Sequence, residues 1–113
     1  MNVRYAIQAG WPNQLNLHQR VSAFTHAGRV ASFKIGITSD PGRRASVYTA
    51  NGTRYEEMVV LYSTSSKRNV REMEQILVQY FRENERMDND NAGGGGLICE
   101  DGPYYLYITL RKP

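Results

Sequence analysis

At 113 residues, with 41% hydrophobic and 22% charged side chains, the chain has the size and balance of one soluble domain with one modest core. Cys99 stands alone, which excludes an internal disulfide framework and a Cys/His zinc site, and no apolar run is long enough to span a membrane. A net charge of +3 is compatible with a polyanionic partner without requiring one.

The opening residues lack the apolar stretch of a signal peptide, so a cytoplasmic protein without a membrane partner is expected. Residues 3–8 predict a short strand, broken by Gly10 and Trp11-Pro12-Asn13. Leu17, Val21 and Phe24 share one helical face and predict a helix over about 17–27. Asn16 and Gln19 would cap its start, and Gly28 would stop it. Residues 31–38 alternate as a strand, with Phe33, Ile35 and Ile37 on one face and Ser32, Lys34 and Gly36 on the other.

Ser39-Asp40-Pro41 then predicts a helix start, a capping side chain followed by proline in the first turn, and Asn51-Gly52 predicts its end. Residues 55–62 predict a third strand around the buried run Met58 to Leu61. Asn69 with Glu72 predicts a capping pair before a helix whose apolar stripe is Val70, Met73, Ile76, Leu77, Tyr80 and Phe81. Gly93 to Gly96 predict a turning loop, and residues 104–111 alternate as a final strand. The expected fold is α/β of the α+β kind, one domain over residues 1–113. Its centre would be a small, mainly antiparallel sheet of three to four strands flanked by helices.

The chemistry concentrates between Phe33 and Tyr48. A strand ends near a glycine, a short loop turns, and a helix opens with Arg43 and Arg44. Cations in a helix's first turn oppose its dipole, so they stabilise the helix poorly there. Either they are solvated surface groups or they face an anion that the helix start also attracts. Eight tyrosines suit a ligand-facing surface, because the ring packs while the hydroxyl still bonds.

This segment resembles the GIY-YIG nuclease superfamily, in the branch whose second tripeptide reads Lys-Ile-Gly, here Lys34-Ile35-Gly36. The resemblance implies an essential arginine about ten residues after the first position of that tripeptide, which is Arg44, and an aromatic four residues beyond it, which is Tyr48. It also implies a later helix bearing one metal-binding glutamate, matched by Glu74 in Met73-Glu74-Gln75-Ile76-Leu77. Helical geometry points to the same residue: Glu74 lies about 20° past Phe81, on the rim of the apolar stripe. Val78 four residues on offers no surface ion-pair partner. A polar residue after this helix is expected to close the site, with Asn91 preferred over Asn89 because the glycines follow it.

The first tripeptide of the family is absent. Its nearest counterpart, Arg4-Tyr5-Ala6, would make Tyr5 the tyrosine of the site, and Lys34 replaces the second tyrosine. The resemblance implies hydrolysis of a DNA phosphodiester. Glu74 would hold one Mg²⁺ or Mn²⁺, Arg44 would neutralise developing charge, and Tyr5 with Lys34 would activate water. Arg43, Lys67 and Arg68 would hold flanking phosphates. With little surface left for reading bases, a weakly specific enzyme, a homo-oligomer or a component of a larger system is expected. The rival reading is an inactive member of the fold that binds nucleic acid or sequesters a small nucleotide signal, as a phage or mobile-element protein could. The altered tyrosines favour that rival, and retention of both Arg44 and Glu74 favours the enzyme.

Overall fold

The computed structural model describes residues 1–8, 16–89 and 102–113. In chain order the described residues form β1 (Asn2–Gln8), α1 (Leu17–Phe24), β2 (Ser32–Thr38), α2 (Pro41–Ala50), β3 (Glu57–Thr64), α3 (Lys67–Tyr80) and β4 (Tyr104–Arg111). The strands join in the order β1-β3-β4-β2. β1 runs parallel to β3, while β4 is antiparallel to both β3 and β2. The fold is therefore α+β, a mixed four-stranded sheet flanked by three helices, as expected. No described helix is long and apolar enough to cross a membrane.

The two faces of the sheet are filled differently. Phe33, Ile35 and Ile37 of β2 join Val59, Leu61, Leu106 and Ile108 on one face, under Leu17 and Val21 of α1 and a row from α3. On the other face Met58, Val60 and Tyr107 pack against Ala45 and Tyr48 of α2. Alternation along each strand produces this division, since neighbouring side chains point to opposite faces.

Local turn chemistry explains most helix ends. Asp40 Oδ1 accepts from the Arg43 backbone N–H at 3.1 Å, with Pro41 opening the first turn, and Gly52 adopts φ +74° just after the end of α2. Two expected caps differ. Asn16 sits at the start of α1 in a left-handed conformation, φ 48°, so its side chain makes no capping bond. That helix ends at Phe24 rather than near Ala27, where the Thr25 hydroxyl donates back to the Val21 carbonyl at 2.7 Å. The α3 helix begins at Lys67, capped by Ser66 Oγ accepting from the Asn69 N–H at 3.1 Å. Asn69 is thus inside the helix, and Glu72 accepts from Arg68 Nε at 3.0 Å instead of completing a cap.

The buried row of α3 also differs from the expected stripe. Val70, Met73, Glu74, Leu77, Val78 and Phe81 face inward, whereas Ile76 and Tyr80 are 58% and 60% exposed. Both rows have helical spacing; the carboxylate in the buried one disguised it as surface. Glu74 consequently lies within the buried row and not on its rim.

The last strand takes the centre of the sheet. β4 pairs with β3 on one side and β2 on the other, and Leu106 through Thr109 are at most 1% exposed. The outer edge of β2 is covered by residues 86–89. The Phe33 N–H donates to the Arg86 carbonyl at 2.9 Å, and the Asp88 N–H donates to the Phe33 carbonyl at 2.7 Å. The Asn89 side chain then bonds both backbone groups of Ile35, accepting at 2.9 Å and donating at 2.8 Å. A sheet edge closed in this way has few free backbone groups to offer another chain.

Candidate active site

Sheet register assembles the site. Gly36 stands opposite Tyr107 and Lys34 opposite Thr109 across the β2–β4 pairing, so these four share one face. The Tyr107 ring lies directly over Gly36, and a Cβ there would overlap its hydroxyl and ring carbon Cζ. Glycine is required at this position by close approach, not by an unusual backbone angle.

Above this face lies α2. Its Tyr48 hydroxyl is 2.8 Å from the Tyr107 hydroxyl, and the two rings meet edge to face at 6.2 Å. Lys34 Nζ lies 5.7 Å from the centre of the Tyr48 ring, within range of a cation–π attraction. Tyr107 is 1% exposed, and burial together with Tyr48 pushes its phenol well above the ordinary tyrosine range. It stays neutral, so its hydroxyl is a fixed hydrogen-bonding group that holds Tyr48.

From α3 comes Glu74, 2% exposed. Loss of hydration pushes its carboxyl up to about 7, against the opposing pull of Arg71, Lys34 and Arg44. Three cations therefore act on one carboxylate that is only partly ionised at neutral pH. The same electrostatics tie Tyr107 to the group, since both Arg44 and Glu74 act on its phenol. Lys34, Tyr48 and Tyr107 thus meet on one sheet face, and Arg44 and Glu74 are coupled to them electrostatically, a candidate cluster with an excess of positive charge.

Other expected members fall elsewhere. Tyr5 shares a cross-strand row with Gly36, but Val60 and Tyr107 stand between them. Three strand spacings separate the two, about 14 Å, and Tyr5 is 58% exposed on the outer strand. The structure does not bring it to the cluster. Arg43 is exposed, and Lys67 and Arg68 lie at the start of α3, where Arg68 is paired with Glu72. None of these three acts on Glu74. Asn91 lies outside the described residues, as do Cys99 and Gly93 to Gly96. Asn89 is occupied with the β2 edge, and His18 packs against Tyr80 at 5.2 Å beside α1 and α3.

Two members were not singled out in the sequence, Tyr107 and Arg71. The signal for Tyr107 is the spacing of Tyr105, Tyr107 and Thr109, hydroxyl-bearing residues at alternate positions of β4, which mark a polar-tipped face. For Arg71 the signal is its place three residues before Glu74 on the same helix.

Among the described residues no three His, Cys, Asp or Glu side chains converge on a common point. Glu74 is the carboxylate the cluster offers to a cation. One carboxylate can suit Mg²⁺, which keeps several waters and completes its shell with phosphate oxygens. A divalent ion at Glu74 would also meet the charges of Arg71, Lys34 and Arg44, which act on the same carboxylate.

No protein-family model, curated protein or solved structure matches the chain.

Proposed function

We propose that the chain is a divergent single-domain member of the GIY-YIG nuclease superfamily, a metal-dependent endonuclease that hydrolyses DNA phosphodiester bonds. The observation that carries this reading is Glu74, a buried carboxylate on which the charges of Arg71, Lys34 and Arg44 all act. A carboxylate with an ordinary structural role has no reason to sit desolvated on a core-facing helix row beside a cationic, tyrosine-lined face.

In this reading Arg44 and Lys34 draw the phosphate to the helix start and balance charge as it builds on the phosphoryl oxygens. Glu74 must lose its proton to serve as a ligand, which a cation arriving with the phosphate promotes. When bound, Mg²⁺ or Mn²⁺ would polarise the phosphate and stabilise the departing oxygen. Tyr48, its hydroxyl fixed by Tyr107, orients the attacking water beside Lys34. Tyr107 acts through Tyr48 and is a positioning residue. The tyrosine assigned to the first strand in the family pattern has a substitute here in β4.

The excess of positive charge around Glu74 favours a second reading, a binder of nucleic acid or of a small nucleotide without turnover. Cleavage of plasmid and single-stranded DNA with and without Mg²⁺ or Mn²⁺ separates the two. The enzyme cuts only with metal, and Glu74→Ala abolishes cutting. Binding of DNA by a wild type that cuts neither substrate would establish the second reading.

A further inference from the structure

Beside Lys34, on the side away from Gly36, lies a cleft of ≈ 290 Å³ lined by Ser32, Thr53, Arg54, Tyr55, Asp88 and Arg111. It lies on the same sheet face as the candidate active site. Ser32 precedes Lys34 by two residues on β2, and Arg111 stands opposite Ser32 as Thr109 stands opposite Lys34. Arg54 comes from the chain just past α2, where the Thr53 hydroxyl donates to the Tyr48 carbonyl at 2.7 Å and ties this corner to the site.

The cleft has an unbalanced charge. Arg111 Nε donates to Ser32 Oγ at 3.1 Å, which fixes the guanidinium. Among the described residues neither its Nη groups nor Arg54 has an ion-pair partner. The opposing carboxylate is Asp88, held by the Tyr55 hydroxyl at 2.6 Å. The nearby Glu56 is turned to the Lys112 backbone N–H at 3.1 Å. Two guanidinium groups thus face one carboxylate, and Lys34 stands at the next step along the strand.

We infer that this cleft is a second phosphate subsite and that the ligand is a single strand of nucleic acid lying along β2. This rests on the reading of the Lys34–Arg44–Glu74 cluster as a phosphate site. From Gly36 to Ser32 is four residues of strand, about 13 Å, too far for one mononucleotide phosphate to touch both ends. Lys34 and Arg111 belong to one sheet face, Arg54 lines the cleft beside Ser32, and Arg44 lies on the helix packed over that face, an arrangement that suits a single backbone. Guanidinium groups with a serine hydroxyl between them form a phosphate-binding set. Such contacts hold register without reading bases.

The test is fluorescence anisotropy of the full chain with a fluorescein-labelled oligothymidylate, in EDTA, over a range of salt. Wild type binds, and Arg54→Ala/Arg111→Ala binds on the order of tenfold more weakly, with a log K versus log salt slope smaller by about 0.7, one phosphate's worth. Arg29→Ala/Arg82→Ala removes the same charge beside α1 and α3 and leaves affinity within twofold. Arg54→Glu, which breaks no hydrogen bond, weakens binding at least as much and shows that misfolding is not the cause. Thymidine monophosphate binds wild type and the Arg54/Arg111 variant alike. Unchanged oligonucleotide affinity and slope in the Arg54 and Arg111 variants, while Lys34→Ala/Arg44→Ala loses binding, would overturn the second subsite alone. Retained binding in Lys34→Ala/Arg44→Ala, or no binding by wild type, would overturn the phosphate-site reading and this inference with it.

Discussion

Gly36 and Tyr107 face each other across adjacent strands, and the tyrosine ring occupies the volume that a side chain on the glycine would fill. A methyl group at Gly36 displaces the ring and, with it, the hydroxyl that holds Tyr48. Gly36→Ala is expected to destabilise the fold by about 1–3 kcal/mol in chemical denaturation, the usual effect of overpacking. The same change in a Tyr107→Leu background should cost less, because the shorter side chain leaves room. Equal cost in both backgrounds would sever the link between the two residues.

Glu74 makes stability depend on pH in the direction opposite to a salt-bridged carboxylate. Its folded-state value is raised from 4.5 to about 7. The folded protein therefore holds this proton longer than the unfolded chain, and stability falls as pH rises between those values. Glu74→Gln mimics the protonated form. It should match wild type at pH 4 and exceed it at pH 8 by on the order of 3 kcal/mol. Urea denaturation at both pH values reads this directly; a variant less stable than wild type at pH 8 would show that the carboxylate is well satisfied in the fold.

Metal should reverse part of that penalty. At pH 8, Mn²⁺ added together with a non-hydrolysable phosphorothioate oligonucleotide should raise the melting temperature of wild type and leave Glu74→Gln unchanged, since a ligand binding only the folded state stabilises it. Equal shifts in both proteins would place the cation elsewhere.

The tyrosine assignment separates in the same assay as cleavage. Tyr107→Phe removes the 2.8 Å bond to Tyr48, costs about 1 kcal/mol of stability, and is expected to lower kcat more than tenfold with KM little changed. Tyr5→Phe, on the outer strand, should leave both kinetic constants within twofold. The opposite pattern would restore the first strand to the site.

Asn89 is predicted to matter for the sheet and not for chemistry. Asn89→Ala removes both bonds to Ile35 and should cost about 1–3 kcal/mol. Hydrogen exchange at the Ile35 amide should accelerate, while cleavage changes only as far as stability does.

What was legible in the sequence was the local chemistry. The β2–α2 unit could be read because alternation, the Asp40 cap, Pro41 and Gly52 each act within a few residues. The α3 helix could be located but not correctly rotated. Ile76 and Tyr80 compete with Glu74 and Val78 for the inward row, and patterning assigns a carboxylate to the surface by default. Tyr107 was out of reach for a different reason. Its role depends on β4 pairing with β2 some seventy positions earlier in the chain, a non-local choice that no turn or cap announces. Of the residues named from the sequence, Lys34 and Tyr48 stand together beside Tyr107, Arg44 and Glu74 are linked to them electrostatically, and Tyr5 lies on the outer strand.

The central position of β4 has a consequence for how the molecule is made. Residues 104–111 leave the ribosome after every other element described here, yet they bridge β2 and β3. Until they arrive, a nascent chain can hold β1 against β3 and fold α2 and α3, but its two halves of sheet have nothing between them. Such late, long-range pairing is slow and leaves strand edges open meanwhile. A stalled or prematurely terminated product lacking this strand would be a substrate for chaperones and proteases, with neither Tyr107 nor a closed core.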